Sequence, residues 1–207
     1  PSHWKWCRTC YSGLMDRRLR RSDLPVDTVA LARFLIGKIL VHDLRGQRTS
    51  GRVVEVEAYP VGDPAGHAFG GKAQRNASLY LARGHAYVYF VYGMYYCLNI
   101  SSEKPGIGAG VLFRALEPLE GIELMKKRRP SSSLRDLARG PGRLTVAMAI
   151  DASYDGVDLC TDRSLWLGTS DSEYHGAVAA STRIGLSRAT SKRWRFYERG
   201  SKFVSGP

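Results

Sequence analysis

Ala86-Tyr-Val-Tyr-Phe-Val-Tyr92-Gly93-Met-Tyr-Tyr-Cys-Leu-Asn-Ile-Ser101 is the stretch on which the fold turns. From Ala86 to Val91 and again from Tyr95 to Ser101 the chain is dominated by aromatic and β-branched residues, which suit half-buried strands. Tyr92-Gly93 divides the two runs with a residue that tolerates a tight turn, so the stretch reads as a β-hairpin. A second hairpin runs from Lys38 to Leu44 and from Thr49 to Tyr59 around a turn containing Gly46, and Gly110 to Leu116 reads as a further strand. Helical patterns flank these runs. Asp27 is a candidate N-cap for an amphipathic helix that Gly37 stops, and Glu117 to Arg129 and Leu144 to Ile150 are helical by composition. Strands joined mainly by hairpins, with helices outside them, predict an α+β class: one mixed domain with a curved antiparallel β-sheet, surrounding helices and a protruding β-hairpin.

Working outward, residues 1–22 read as a basic, partly disordered N-terminal arm ending in Arg17-Arg18-Leu-Arg20-Arg21, and residues 23–207 as the domain. A chain of 207 residues with 43% hydrophobic content supports one sizeable core. Its net charge of +12 predicts attraction to polyanions. No apolar run approaches the roughly 18 residues of a bilayer span, and the first residues lack a signal-peptide core, so an intracellular protein with no membrane partner is expected. Cys7, Cys10, Cys97 and Cys160 are too scattered for a disulfide framework. Cys7-Arg-Thr-Cys10, with His3 nearby, has the spacing of half a zinc site but no second pair, so no metal is expected. Pro60 to Arg75, with Gly62, Gly66, Gly70 and Gly71, reads as a surface loop of the kind that carries function. Arg183, Arg188, Lys192, Arg193 and Arg195 form a basic end.

Strand period places Val53, Glu55, Glu57 and Tyr59 on one face and Val54, Val56 and Ala58 on the other. Glu57 and Tyr59 sit where a strand enters the glycine-rich loop bearing His67, which could form a pocket with a base at its floor. Leu112, Arg114 and Leu116 share a face of the neighbouring strand, from which Arg114 could reach a carboxylate. The same spacing also reads as a buried structural Arg–Glu pair. The tyrosines divide likewise: alternating ones pack a half-wet sheet face, whereas Tyr92, before the turn glycine, projects outward and could wedge into a base stack.

Taken together, Glu55-Val-Glu57-Ala-Tyr59, His67-Ala-Phe-Gly-Gly, Arg75-Asn76, Tyr87 to Asn99, Leu112-Phe-Arg114-Ala-Leu-Glu-Pro, Gly140-Pro-Gly-Arg-Leu, Arg183-Ile184-Gly185-Leu186 and Arg195-Phe-Tyr197-Glu-Arg199-Gly200 resemble the alkyladenine (3-methyladenine) DNA glycosylase family. The likeness spans roughly residues 24 to 205, and motifs in this order are far more specific than any one of them.

The resemblance implies a monofunctional base-excision repair enzyme without lyase activity or cofactor, expected to be a monomer. It would act on double-stranded DNA in a bacterial nucleoid or a eukaryotic nucleus. It would flip a damaged purine of the 3-methyladenine, 7-methylguanine, hypoxanthine or ethenoadenine class out of the duplex and hydrolyse its N-glycosidic bond. By the family's pattern Glu57 activates water, assisted by Arg114 and the main-chain carbonyl of Ile184. Tyr59, His67 and Tyr89 sandwich the base, Asn99 guards against normal guanine, and Tyr92 intercalates, while Tyr87 and Tyr96 pack. Met94, Tyr95 and Leu112 face DNA or the pocket, and Arg75, Gly140 and Gly142 contact DNA. Lys72-Ala73-Gln74-Arg75-Asn76 departs from the family's Arg-Thr-Pro-Arg-Asn, which alters the course of that loop.

Two rivals stand beside this reading. Leu137-Ala-Arg-Gly140-Pro-Gly142-Arg-Leu-Thr145 resembles the hairpin of a helix-hairpin-helix glycosylase, and stacked tyrosines with basic loops would also suit a non-catalytic nucleic-acid-binding module. A zinc base deaminase fits poorly, because no His-x-Glu occurs.

Overall fold

The computed structural model describes residues 17–169 and 176–206. Cys7, Cys10 and His3, with the bulk of the arm, lie outside the described residues. Within them, β1 (Arg17–Arg18), β2 (Ile39–Leu44), β3 (Gln47–Tyr59), β4 (Ala86–Val91), β5 (Tyr95–Ser101), β6 (Gly110–Glu120) and β7 (Leu165–Thr169) form one antiparallel sheet in the order β1-β7-β2-β3-β6-β5-β4. The short β8 (Val178–Ser181) pairs with β9 (Arg195–Glu198), which joins β3 at Glu55–Glu57 beyond the end of the β2 pairing. Helices α1 (Thr28–Leu35), α2 (Ile122–Arg128) and α3 (Pro141–Met148) complete a single mixed domain. Among the described residues no helix is long and apolar enough to cross a membrane.

Local chemistry sets most boundaries. The Asp27 side chain accepts from the Ala30 N–H at 2.7 Å, capping α1, and Gly37 at φ +85° turns the chain after it. Arg45 and Gly46 both take positive φ, as the tight turn between β2 and β3 requires. Helix α3 begins with Pro141, whose missing N–H would have no partner in a first turn.

Glu117 to Glu120, helical by composition, is strand instead. Glu117 pairs with Arg52 and Pro118 with Gly51 in the ladder, and Arg52 forms ion pairs with both Glu117 and Glu198. Long-range pairing overrides local propensity here. Helix α2 starts only after Gly121, held at φ +67° where an added Cβ would lie 2.3 Å from Arg48 O.

Arg17 and Arg18, at the end of the stretch read as an arm, pair with β7, and Leu19 is buried in the core. Gln74–Tyr80, partly read as loop, winds into 3-10 turns. Of the basic end, Arg183 and Arg195 are buried in ion pairs rather than displayed. The helix-hairpin-helix rival fails on local structure: Arg139 forms a β-bridge with Ala115, preceded by a single 3-10 turn at Leu134–Asp136.

Leu31 and Leu35 of α1, Met125 of α2, and Leu144 and Met148 of α3 share one core with Val56, Ala58, Leu98, Ile100, Val111 and Phe113 of the sheet. Strict alternation breaks where Glu55 faces Ala115 in the ladder instead of Arg114. Val53 and Leu116 consequently join that core, while Val54 and Ala115 pack with Phe203 in a separate cluster. The expected face Val53-Glu55-Glu57-Tyr59 therefore loses Val53, and Leu116 leaves the face of Arg114. Regular register resumes at Val56 and Phe113.

Candidate active site

Glu57 lies near the end of β3 and is fully buried. Its Oε1 accepts from the main-chain N–H of Ile184 at 2.8 Å and lies 3.2 Å from Arg114 Nη1. Its Oε2 accepts from the Tyr59 hydroxyl at 2.9 Å. A carboxylate has about four acceptor positions. Three donors leave room for one more. Ile184 thus meets Glu57 through its main-chain N–H. Burial, and next the Glu57 carboxylate, push the Tyr59 hydroxyl far above its ordinary range, so it remains a donor. Burial lowers the Arg114 guanidinium, but Glu57 and Glu55 outweigh it and hold Arg114 above its usual value.

From Tyr59 a cavity of about 120 Å³ opens, lined also by His67, Phe69, Tyr87, Tyr89, Asn99, Gly110 and Leu186. His67 Nδ1 and the Tyr87 hydroxyl are 2.9 Å apart, and the His67 and Tyr89 rings touch at 4.5 Å between centroids. Tyr87 and Tyr89 stack at 5.3 Å, so the three rings form one wall. Burial, with the Arg75 charge adding to it, lowers the His67 imidazole, which is therefore neutral near pH 7. Burial raises the Tyr87 hydroxyl to about 12.

The loop carrying His67 is held from both ends. Asn76 Nδ2 donates to His67 O at 2.8 Å and to Gly71 O at 3.0 Å, and its Oδ1 accepts from Ala73 N. At its start, Asp63 accepts from Arg183, which also donates to Ala58 O and stacks over Tyr59 and Trp194. Asn99 sits on β5 opposite Tyr87, donates to Tyr87 O at 3.2 Å and lines the cavity.

A groove lined by Arg75, Tyr87 to Val91 and Tyr92 shares His67, Tyr87 and Tyr89 with this cavity. Tyr92 is 87% exposed, and both it and Gly93 take positive φ in a turn closed by Met94 N to Val91 O at 3.2 Å. Phe90, Met94 and Tyr95 are exposed beside it. Helix α3 braces this hairpin: Thr145 Oγ1 donates to Tyr96 O, and an added Cβ on Gly142 would lie 2.8 Å from that of Tyr95.

The structure thus brings Glu57, Arg114, Tyr59 and Ile184 into one cluster and His67, Tyr89 and Asn99 into the cavity beside it. Leu112 is buried, between Glu57 and Asn99 in the ladder. The Gly140 N–H already donates to Arg114 O, so it is not free for a phosphate. Sequence reasoning missed the Asp63–Arg183 pair, the Asn76 clamp, and Arg195 and Ser205 on Glu55. No short-range spacing signals the bonds of Asp63 and Glu55, whose partners Arg183, Arg195 and Ser205 lie more than a hundred residues away, whereas the Asn76 clamp is local to its loop.

Known proteins resemble this chain over most of its length. A family model described as methylpurine-DNA glycosylase matches residues 22–202. A protein of Mesorhizobium japonicum is 59% identical over 189 residues, covering 91% of this chain and 90% of its own. A protein of Paraburkholderia phytofirmans is 57% identical over 91% of this chain and 88% of its own, and one of Clostridium acetobutylicum 43% identical over 86% and 93%. All three bear the name "Putative 3-methyladenine DNA glycosylase". By the extent of these matches the chain belongs to the methylpurine-DNA glycosylase family.

Proposed function

We propose that the protein is a monofunctional DNA glycosylase that acts as a monomer on double-stranded DNA, flips a damaged purine into the cavity and hydrolyses its N-glycosidic bond. The observation that carries this is Glu57: a fully buried carboxylate with one acceptor position open, hydrogen-bonded to a tyrosine that lines an aromatic cavity. Its tether to Ile184 and Arg114 fixes the carboxylate while Oε2 faces Tyr59. A water held by Oε2 attacks C1′ of the deoxyribose and gives its proton to Glu57. The C1′–N bond breaks with its electrons going to the purine, leaving an abasic site and a free base. A cationic alkylated purine departs without protonation, whereas neutral hypoxanthine or ethenoadenine needs an acid as well.

Because His67 and Tyr89 already touch, a planar base stacks on the wall they form, with Tyr59 on its other face. Asn99, on the cavity lining, opposes the exocyclic amine of normal guanine. The β4–β5 hairpin enters the duplex and Tyr92 fills the vacated space. The net charge of +12 and Arg75 beside the groove favour the phosphate backbone.

The test is incubation with duplexes carrying 3-methyladenine, 7-methylguanine, hypoxanthine or ethenoadenine, followed by alkali. Strand scission at the lesion by wild type, abolished in Glu57→Gln with retained binding to an abasic-site analogue, is the expected result. Binding without scission would favour a non-catalytic module.

A further inference from the structure

We propose that Glu55, together with Ser205 near the chain's end and Arg195, is a positioning group for the reaction, setting the angle at which Arg114 meets Glu57. This rests on Glu57 being the base.

Glu55 and Glu57 are two apart on one strand and equally buried, but their surroundings differ. Glu55 Oε1 accepts from Arg114 Nε at 3.0 Å, Arg195 Nε at 2.7 Å and Ser205 Oγ at 2.8 Å, and its Oε2 accepts from Ser205 N at 2.6 Å. Three of these four donors crowd Oε1 and two of those belong to cations, so Glu55 is tied to Arg114, Arg195 and Ser205 at once. It shares one cation with Glu57. Each nitrogen of the Arg114 guanidinium has its own partner: Nε meets Glu55, Nη1 lies 3.2 Å from Glu57, and Nη2 lies 3.5 Å from Ser205 Oγ. Two of these three anchors are Glu55 and Ser205, so they fix the guanidinium plane.

The C-terminal segment is itself built in. Phe203 is buried against Val54 and Ala115, Arg139 Nε donates to Val204 O at 2.6 Å, and Arg195 Nη2 donates to Ser205 O at 2.9 Å. The four charges Glu55, Glu57, Arg114 and Arg195 balance. Without the Glu55 charge, Arg114 is free to turn its fork onto both oxygens of Glu57 and occupy the acceptor position left for water. Such a change slows the chemical step without altering the surface that meets DNA.

The experiment measures single-turnover excision at saturating enzyme on an alkylated-purine duplex, Kd for a duplex with a tetrahydrofuran abasic analogue, and the thermal midpoint. Wild type is compared with Ser205→Ala, Ser205→Thr, Glu55→Gln and Glu57→Gln. Ser205→Ala, which removes one hydroxyl and keeps the N–H, should slow excision about 5-fold. Glu55→Gln should slow it on the order of 100-fold, the scale of a misplaced reacting group. Both should bind the analogue within about twofold of wild type, and Ser205→Thr should restore the rate. Wild-type rates in Ser205→Ala and Glu55→Gln alongside a dead Glu57→Gln would overturn the positioning role alone. Equal losses of rate and affinity in Ser205→Ala would overturn it too, by showing general loosening. Normal turnover by Glu57→Gln would instead remove the base on which it rests. Should Glu55→Gln fail to fold, Ser205→Ala decides, because it removes one hydroxyl and keeps the main-chain N–H bond to Glu55.

Discussion

Replacing Tyr92 with glycine should leave the free protein at least as stable while weakening its hold on lesion DNA. Tyr92 stands at φ +54° with its side chain 87% exposed. Left-handed backbone costs an L-residue roughly 1–2 kcal/mol, and glycine escapes it. Glycine in turn adds about 0.5–1 kcal/mol of chain entropy to the unfolded state. The exposed ring buries little, so its loss barely enters. The net is a gain of about 0.5 kcal/mol, or roughly 1–2 °C in Tm for a domain of this size. On DNA the sign reverses: losing the stacked ring should remove about 1–3 kcal/mol, a 5- to 150-fold loss of affinity. Tyr92→Ala separates the two effects, since it keeps the left-handed strain and loses the same stacking, giving a Tm no higher than wild type. Thermal melts and fluorescence anisotropy with an abasic-analogue duplex at fixed salt measure both. A Tyr92→Gly melting several degrees below wild type would refute the strain reasoning, and wild-type affinity would refute the wedge.

Two further changes probe the scaffold and one probes the chemistry. Asp63→Asn leaves Arg183 as an uncompensated buried cation, so stability should fall by about 3–5 kcal/mol in urea unfolding; a loss below about 1 kcal/mol would show the pair to be dispensable. Burial holds the His42 imidazole below its usual value despite its bond to Met148 O, so its neutral form belongs to the folded state. Its contribution to stability is present above pH 6.5 and lost as pH falls through the lower folded value; His42→Asn should flatten Tm against pH in that window, and an unchanged slope would count against it. Borohydride should trap no covalent DNA adduct, because among the described residues no lysine lines the cavity or bonds to Glu57; a trapped adduct would establish lyase chemistry.

What could be read from sequence follows the range of the interactions. The β4–β5 hairpin has the boundaries its pattern predicts, because alternation and the Tyr92-Gly93 turn are local signals. The pairing of Glu57 with Tyr59 follows from two-residue spacing and is seen as a hydrogen bond. Glu117–Glu120 was misread, because its Glu and Leu content favours helix while Arg52 and Gly51, distant in sequence, hold it as strand. Val53 changed faces because of a ladder irregularity at Glu55 and Ala115, which no pattern on one strand reveals.

Glu55 and Glu57 carry this furthest. They are the same residue type, on one strand, sharing one arginine, and periodicity treats them as equivalent. What separates them is supplied from afar. Arg195 and Ser205 bring Glu55 three donors from far along the chain, while Ile184 brings Glu57 one N–H. In the proposed mechanism the carboxylate with more fixed donors anchors Arg114, and the one beside the cavity holds water. The proposed division of labour between two glutamates would therefore depend on residues 195–205 as much as on β3. A substitution at Ser205 should accordingly be felt in the rate of bond cleavage before it is felt in the fold.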